Sequence, residues 1–293
     1  MIIARLFNYF IVFSVIGWLY ECTFCTFKNG AWENRGFLFG PICPIYGAGV
    51  VLAMVVFHFL PQKANAEHPV WMIFCICAFG SMILEYLTSY VLERVFHAVW
   101  WDYSKVPLNI NGRVCLPATC GFGIAGIFVV RFMIPAVEEL PIEKYPLTNE
   151  VLALVFMFIM GIDMALTVAS LTKIVSQLER AEASFNEKAD AGYQRVRVAP
   201  AAIASVASDA LSSAGSSAKD AILSAGSNAR DAMSSAGESM NERLNRFAES
   251  LSWRDRYHLH TMLGYRPRKR MGVNTDSIRE FFAKLQEKIQ VRK

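Results

Sequence analysis

Apolar residues gather in long runs over the first 178 positions and in short, evenly spaced groups after them. The runs fall near 6–27, 42–60, 70–92, 117–137 and 150–174. Each approaches the roughly 20 residues a helix needs to cross a hydrocarbon core of about 30 Å. Pro41, Pro44 and Pro61 flank the second run, Pro117 opens the fourth and Pro135 meets its end. A missing N–H is tolerated at such places. The pattern predicts five transmembrane helices. The first run lacks a basic leader and an A-x-A site and leads straight into a second span, so it is expected to be a span and not a cleaved signal peptide.

The segments between the runs echo one another. One unit passes from Gly17 through Glu21 to NRGFLFGPICPIYGAG at 34–49, the other from Gly80 through Glu85 to NGRVCLPATCGFGIAG at 111–126. Each has an apolar helix with one carboxylate, then a polar loop with Trp, Asn, Gly and Arg. A Pro, an aromatic–Gly pair (Tyr46-Gly47, Phe122-Gly123) and a second apolar helix follow. The expected fold is all-α: a polytopic membrane domain over 1–178, built of two tandem helix–loop–helix repeats plus one span, followed by a helical or partly disordered tail.

Charge divides the chain at the same place. Residues 1–178 carry 10 Lys/Arg and 11 Asp/Glu, whereas 179–293 carry 19 and 14, and the whole chain is +4. Lys28, Arg35, Arg94, Lys105 and Arg113 lie in the first and third loops. The second loop has Lys63 alone, and the fourth sets Lys144 among Glu138, Glu139, Glu143 and Glu150. The rule that cytoplasmic loops are rich in Lys and Arg puts both repeat loops and the tail in the cytoplasm. The expected location is the bacterial cytoplasmic membrane, multi-pass, with the C-terminus cytoplasmic.

The tail has a repeat of its own. DALSSAGSSAK, DAILSAGSNAR and DAMSSAGESMN recur every 11 residues over 209–241. Eleven residues make three turns, so a weak, Ala-rich stripe stays on one helix face. Residues 179–250 therefore form an amphipathic linker that needs lipid or a second tail to cover it, which makes a homo-oligomer through the tail one expectation. In 251–293, a basic cluster (Arg266, Arg268, Lys269, Arg270) precedes Asp276, a helix cap before Ile278, Phe281, Phe282, Leu285 and Ile289. No recognition motif accompanies these cations, so no nucleic-acid partner is expected.

Candidate chemistry is confined to the first domain. Its seven Cys lie before residue 121, and no His or second Cys pair stands at zinc spacing, so neither metal nor cofactor is expected. Glu21, Glu85 and Asp163 lie deep in predicted spans, where an unpaired carboxylate costs several kcal/mol and marks either a working site or a buried structural contact. The loops add Asn34, Arg35 and Tyr46 from the first repeat, and Trp101, Asp102, Asn111 and Arg113 from the second. Arg offers a planar fork to carboxylate or phosphate. The competing account is an interfacial belt, with Trp and Tyr at head-group level and Arg on lipid phosphate. No nucleophile–base pair is visible, so an enzyme is not expected.

The strings GWLYE, NRGFLFGPICPIYG, LEY, WWDYS and NINGRVCL, in this order, resemble the bacterial membrane-protein family called "Putative ABC-transporter type IV" over about residues 1–175. The resemblance implies a permease-like transport subunit. No G-x-x-x-x-G-K-[ST] phosphate loop occurs in the chain, so an ATPase would be a separate subunit. A different class of function stays open beside it: a membrane anchor or scaffold whose tail recruits partners or binds the lipid surface.

Overall fold

The computed structural model describes residues 2–30, 34, 36–60, 68–139, 145–211, 242, 244–265 and 275–291. Arg35, Lys63, Lys144, the tail repeats from residue 212 and the basic cluster at 266–270 lie outside the described residues.

Helices dominate. Four are long and apolar enough to cross a membrane. They are α1 (Ile2–Asn29), α3 (Val70–Phe96), the combined Leu116–Glu138 helix, and the first 35 residues of α6 (Pro146–Leu211). The second predicted span differs. It is α2, Pro44–Phe59, with 16 residues, which rise only about 24 Å at 1.5 Å each. Pro44 can sit only in its first turn, and Leu60 before Pro61 is extended, as a residue preceding proline tends to be. The Leu116–Glu138 helix is continuous through three pieces: α4 (Leu116–Phe128), a π turn (Val129–Met133) and α5 (Ile134–Glu138). Pro135 lacks an N–H, and just before it the ladder widens so that Ile134 N–H donates to Val129 O.

Two small sheets were not expected. β1 (Ala98–Val99) pairs antiparallel with β4 (Gly264–Tyr265), and β2 (Asn109–Ile110) with β3 (Val114–Cys115). The second pair turns at Asn111-Gly112, whose φ values are +54° and +69°. Asn-Gly is the dipeptide that best tolerates two positive φ angles in a tight hairpin, so this turn was readable from the sequence.

The chain forms two compact units. One comprises Met1–Lys173 with Tyr257–Arg266, the other Ile174–Arg256 with Pro267–Lys293. The domain boundaries expected at 178 and 250 therefore differ from the observed division, because a stretch of the tail packs with the first unit. That stretch begins within α7 (Trp253–Thr261) and ends with β4.

In the first unit the two repeats are two helical hairpins, each closed by a glycine. A Cβ at Gly47 would lie 2.2 Å from both Phe10 O and Ser14 Oγ of α1. A Cβ at Gly123 would lie 2.7 Å from Phe74 of α3 and 3.1 Å from Ala78. Small residues at these crossings let helices approach where lipid gives no hydrophobic drive. One offset along the chain carries Phe10 onto Phe74, Ser14 onto Ala78 and Glu21 onto Glu85. The same offset pairs Gly17 with Ser81 and not with Gly80. Accordingly Gly17 abuts Tyr46 at 2.3 Å from its would-be Cβ, whereas Gly80 meets nothing within 4 Å.

The loop after α1 runs into the protein. Leu38 and Ile42 are buried with Ile11 of α1, against Phe7, Phe10, Phe156, Met160 and Met164. Cys43 N–H donates to Ser14 O at 3.0 Å. Phe39 and Gly40 reach Asp163, midway along the apolar part of α6. Non-helical backbone at such depth is tolerated only when protein satisfies it, and here protein does.

In the second unit, Ile174, Val175 and Leu178 of α6 are buried, as are Leu244, Ala248 and Leu251. Phe281, Phe282 and Leu285 are buried along α8 (Thr275–Val291). Ser252 and Asp255 form a reciprocal cap at the start of α7: Ser252 N–H donates to Asp255 Oδ2 at 2.9 Å, and Asp255 N–H to Ser252 Oγ at 3.3 Å.

Candidate functional site

The matched residues of the two repeats meet each other. Tyr46 and Phe122, the aromatic members of the two aromatic–Gly pairs, contact edge to face at 6.2 Å. The Glu21 and Glu85 carboxylates lie within electrostatic reach of one another. When equivalent residues of two copies touch, the axis relating the copies runs between them. The centre of the first unit is therefore the junction of the repeats.

Each carboxylate accepts a hydrogen bond from a tyrosine. Tyr46 Oη donates a short bond to Glu21 Oε1, and Tyr103 Oη donates to Glu85 Oε1 at 3.3 Å. The donors come from different places, one from α2 and one from the loop after β1. Glu85 is only 6% exposed, and its Oε2 has no hydrogen-bond partner among the described residues. Burial pushes the Tyr103 phenol above its usual range, and Glu85, Cys115 and then Glu21 push it the same way. That phenol stays protonated and can keep donating. Cys43, at the mouth of α2, is raised to about 12 by burial first, then by Glu21 and Cys22. Its thiol is inert as a nucleophile at neutral pH.

The other expected site residues divide. Asn34 lies near Glu21's helix and accepts from Trp18 Nε1 at 2.7 Å. Arg35 is outside the described residues. Arg113 does not join the carboxylate pair. It bonds Glu93 Oε2 at 2.7 Å and lies over the rings of Tyr86 and Tyr90, each 5.3 Å from its guanidinium carbon. Asn111 Nδ2 donates to Tyr86 Oη at 3.1 Å. Trp101 and Asp102 build the loop: Trp101 Nε1 donates to Arg113 O at 2.8 Å, and Asp102 Oδ1 accepts from Ser104 N–H at 2.9 Å. Glu93, one helical stretch beyond Glu85, was the partner the sequence reading passed over. Its spacing from Tyr86 and Tyr90 on one helix face was the available signal.

Asp163, the third deep acid, has a structural place. Its Oδ1 accepts from Phe39 N–H at 3.0 Å and from Thr167 Oγ1 at 3.4 Å, and its Oδ2 accepts from Gly40 N–H at 2.8 Å. A Cβ on Gly40 would sit 2.9 Å from Oδ2, so glycine is needed for this approach. Among the described residues no group of three or more His, Cys, Asp or Glu is placed to hold a metal ion.

The family model described as "Putative ABC-transporter type IV" matches residues 8–168, more than half of the chain and most of the first unit. No curated protein and no solved structure matches the chain.

Proposed function

The chain belongs to the "Putative ABC-transporter type IV" family, and on that premise we propose that it is a permease-like transport subunit whose working site is the Glu21–Glu85 pair at the repeat junction. The observation that carries this reading is the meeting of equivalent residues, Glu21 with Glu85 and Tyr46 with Phe122. Membrane transporters place their sites where internal repeats abut, because rocking of one repeat against the other then exposes the site to alternate sides. An intramembrane carboxylate with an unbonded oxygen is costly to keep, and its natural use is to bind a cation, a proton or a polar cargo group. The loop charges orient both repeat loops and the C-terminus toward the cytoplasm. The chain has no phosphate-binding loop of its own, so a separate ATPase subunit drives it.

The test uses the full chain purified from its native membrane. Nucleotide hydrolysis should co-elute with it. Glu85→Gln keeps shape and the Tyr103 bond but removes the charge. A lost charged contact is worth about 1.5–3 kcal/mol, so hydrolysis coupled to transport should fall by about tenfold to a hundredfold, with the protein still monodisperse. Hydrolysis that is absent, or indifferent to both Glu85→Gln and Glu21→Gln, would overturn the reading.

A further inference from the structure

The stretch Tyr257–Tyr265 lies outside the region matched by the family, yet it packs with the first unit. It grips both repeats. Tyr257 Oη donates to Leu38 O at 3.0 Å, and the rings of Tyr257 and His258 lie 5.4 and 4.4 Å from Phe39. These contacts hold the inserted loop of the first repeat. β4 pairs with β1, in the loop of the second repeat, through Ala98↔Tyr265 and Val99↔Gly264. Leu263 N–H adds a bond to Val99 O at 2.7 Å. His258, Leu259, Met262 and Tyr265 are all at most 3% exposed.

The stretch also lies over the approach to Glu21. A Cβ on Gly36 would be 3.4 Å from Tyr257 Oη and 3.6 Å from Trp18. Burial raises the Tyr257 phenol, and Cys43, Cys22 and Asp163 add to the shift, so all three face it. Cys43 in turn faces Glu21. A single layer, Cys22 and Cys43, thus separates the Tyr257 phenol from the Glu21–Tyr46 contact. Both cysteines are buried, at 0% and 8% exposure.

We propose that Tyr257–Tyr265 is a releasable strap: it closes the loop-side approach to Glu21 and holds the two repeats in one arrangement. A strap that bonds to both repeats must let go of at least one before they can rock apart. Its grip is small, one two-residue sheet and one hydrogen-bonded tyrosine, which suits a contact that opens. The closure stands apart from transport; only what it regulates rests on the permease reading.

The experiment is the rate at which a water-soluble maleimide labels each native cysteine of the full-length protein, read by peptide mass spectrometry. Tyr257→Ala removes the Leu38 bond and the Phe39 contact. Leu263→Pro removes the N–H that Val99 accepts. In either variant labelling of Cys22 and Cys43 should rise by about tenfold or more, as expected when local opening exposes them. Cys115, buried in β3 away from the strap, should label at the wild-type rate. Unchanged rates at Cys22 and Cys43 in both variants would overturn the strap, and so would equal acceleration at Cys115, which reports general loosening. A disulfide between Ala98→Cys and Tyr265→Cys should suppress the residual labelling of Cys43. Labelling that persists at the wild-type rate after oxidation would show that the approach opens without the strap. None of these readouts depends on ATP hydrolysis, so they stand if the permease reading fails.

Discussion

Asp163→Ala should loosen the first repeat from α6, and the size of the effect follows from three bonds. The carboxylate accepts the N–H groups of Phe39 and Gly40 at 3.0 and 2.8 Å and a weaker Thr167 bond at 3.4 Å. A hydrogen bond to a charged acceptor contributes about 1.5–3 kcal/mol, and a buried donor left without an acceptor carries a similar penalty. This site is only part-buried, so water recovers some of the loss, and about 2–4 kcal/mol is expected for the pair of amides. A unit of this size loses about 2–4 °C per kcal/mol, so the midpoint in detergent should drop by about 5–15 °C. Asp163→Asn keeps one acceptor oxygen and should lose about half as much. Gly40→Ala attacks the same contact from the other side, since its Cβ would lie 2.9 Å from Oδ2. Combined with Asp163→Ala it should add little, because the two changes break one interaction. The assay is thermal unfolding of purified protein followed by size-exclusion chromatography. An Asp163→Ala midpoint within about 2 °C of wild type, or strict additivity of the double variant, would refute the clamp.

Two further outcomes follow from the same structure. Gly47→Ala should destabilise the α1–α2 hairpin by about 1–3 kcal/mol through overpacking, whereas Gly80→Ala, with open space around it, should be neutral or stabilising by up to about 1 kcal/mol; thermal midpoints compare them directly. The Tyr103 and Tyr257 phenols are both raised. Groups whose folded pKa exceeds the unfolded value of about 10 contribute stability that is fully present below that pH and is lost above it. Stability should therefore fall as pH rises past about 10, and Tyr103→Phe or Tyr257→Phe should flatten that limb; an unchanged alkaline limb in both would contradict the burial of the phenols.

What the sequence determined by itself was everything that depends on local spacing. The apolar runs placed four long helices, because a span is a property of some 20 consecutive residues. The echo between Glu21 and Glu85 was visible because duplication preserves spacing, and Asn111-Gly112 carried the signature of a hairpin although it was read as loop. The family resemblance likewise rested on contiguous strings. What only the tertiary structure decided were contacts between distant positions. Arg113 could pair with any carboxylate on an adjoining helix, and the reach of its side chain and the rings of Tyr86 and Tyr90 selected Glu93 over Glu85. Asp163 looked like a transport acid until the backbone of Phe39 and Gly40 reached it across more than a hundred residues of chain. The return of Tyr257–Tyr265 to the first unit left no periodic trace, since a two-residue strand and one tyrosine bond are too short to show a pattern. Local chemistry writes helices into a sequence, while a pairing partner is chosen by proximity, and proximity exists only once the chain has folded.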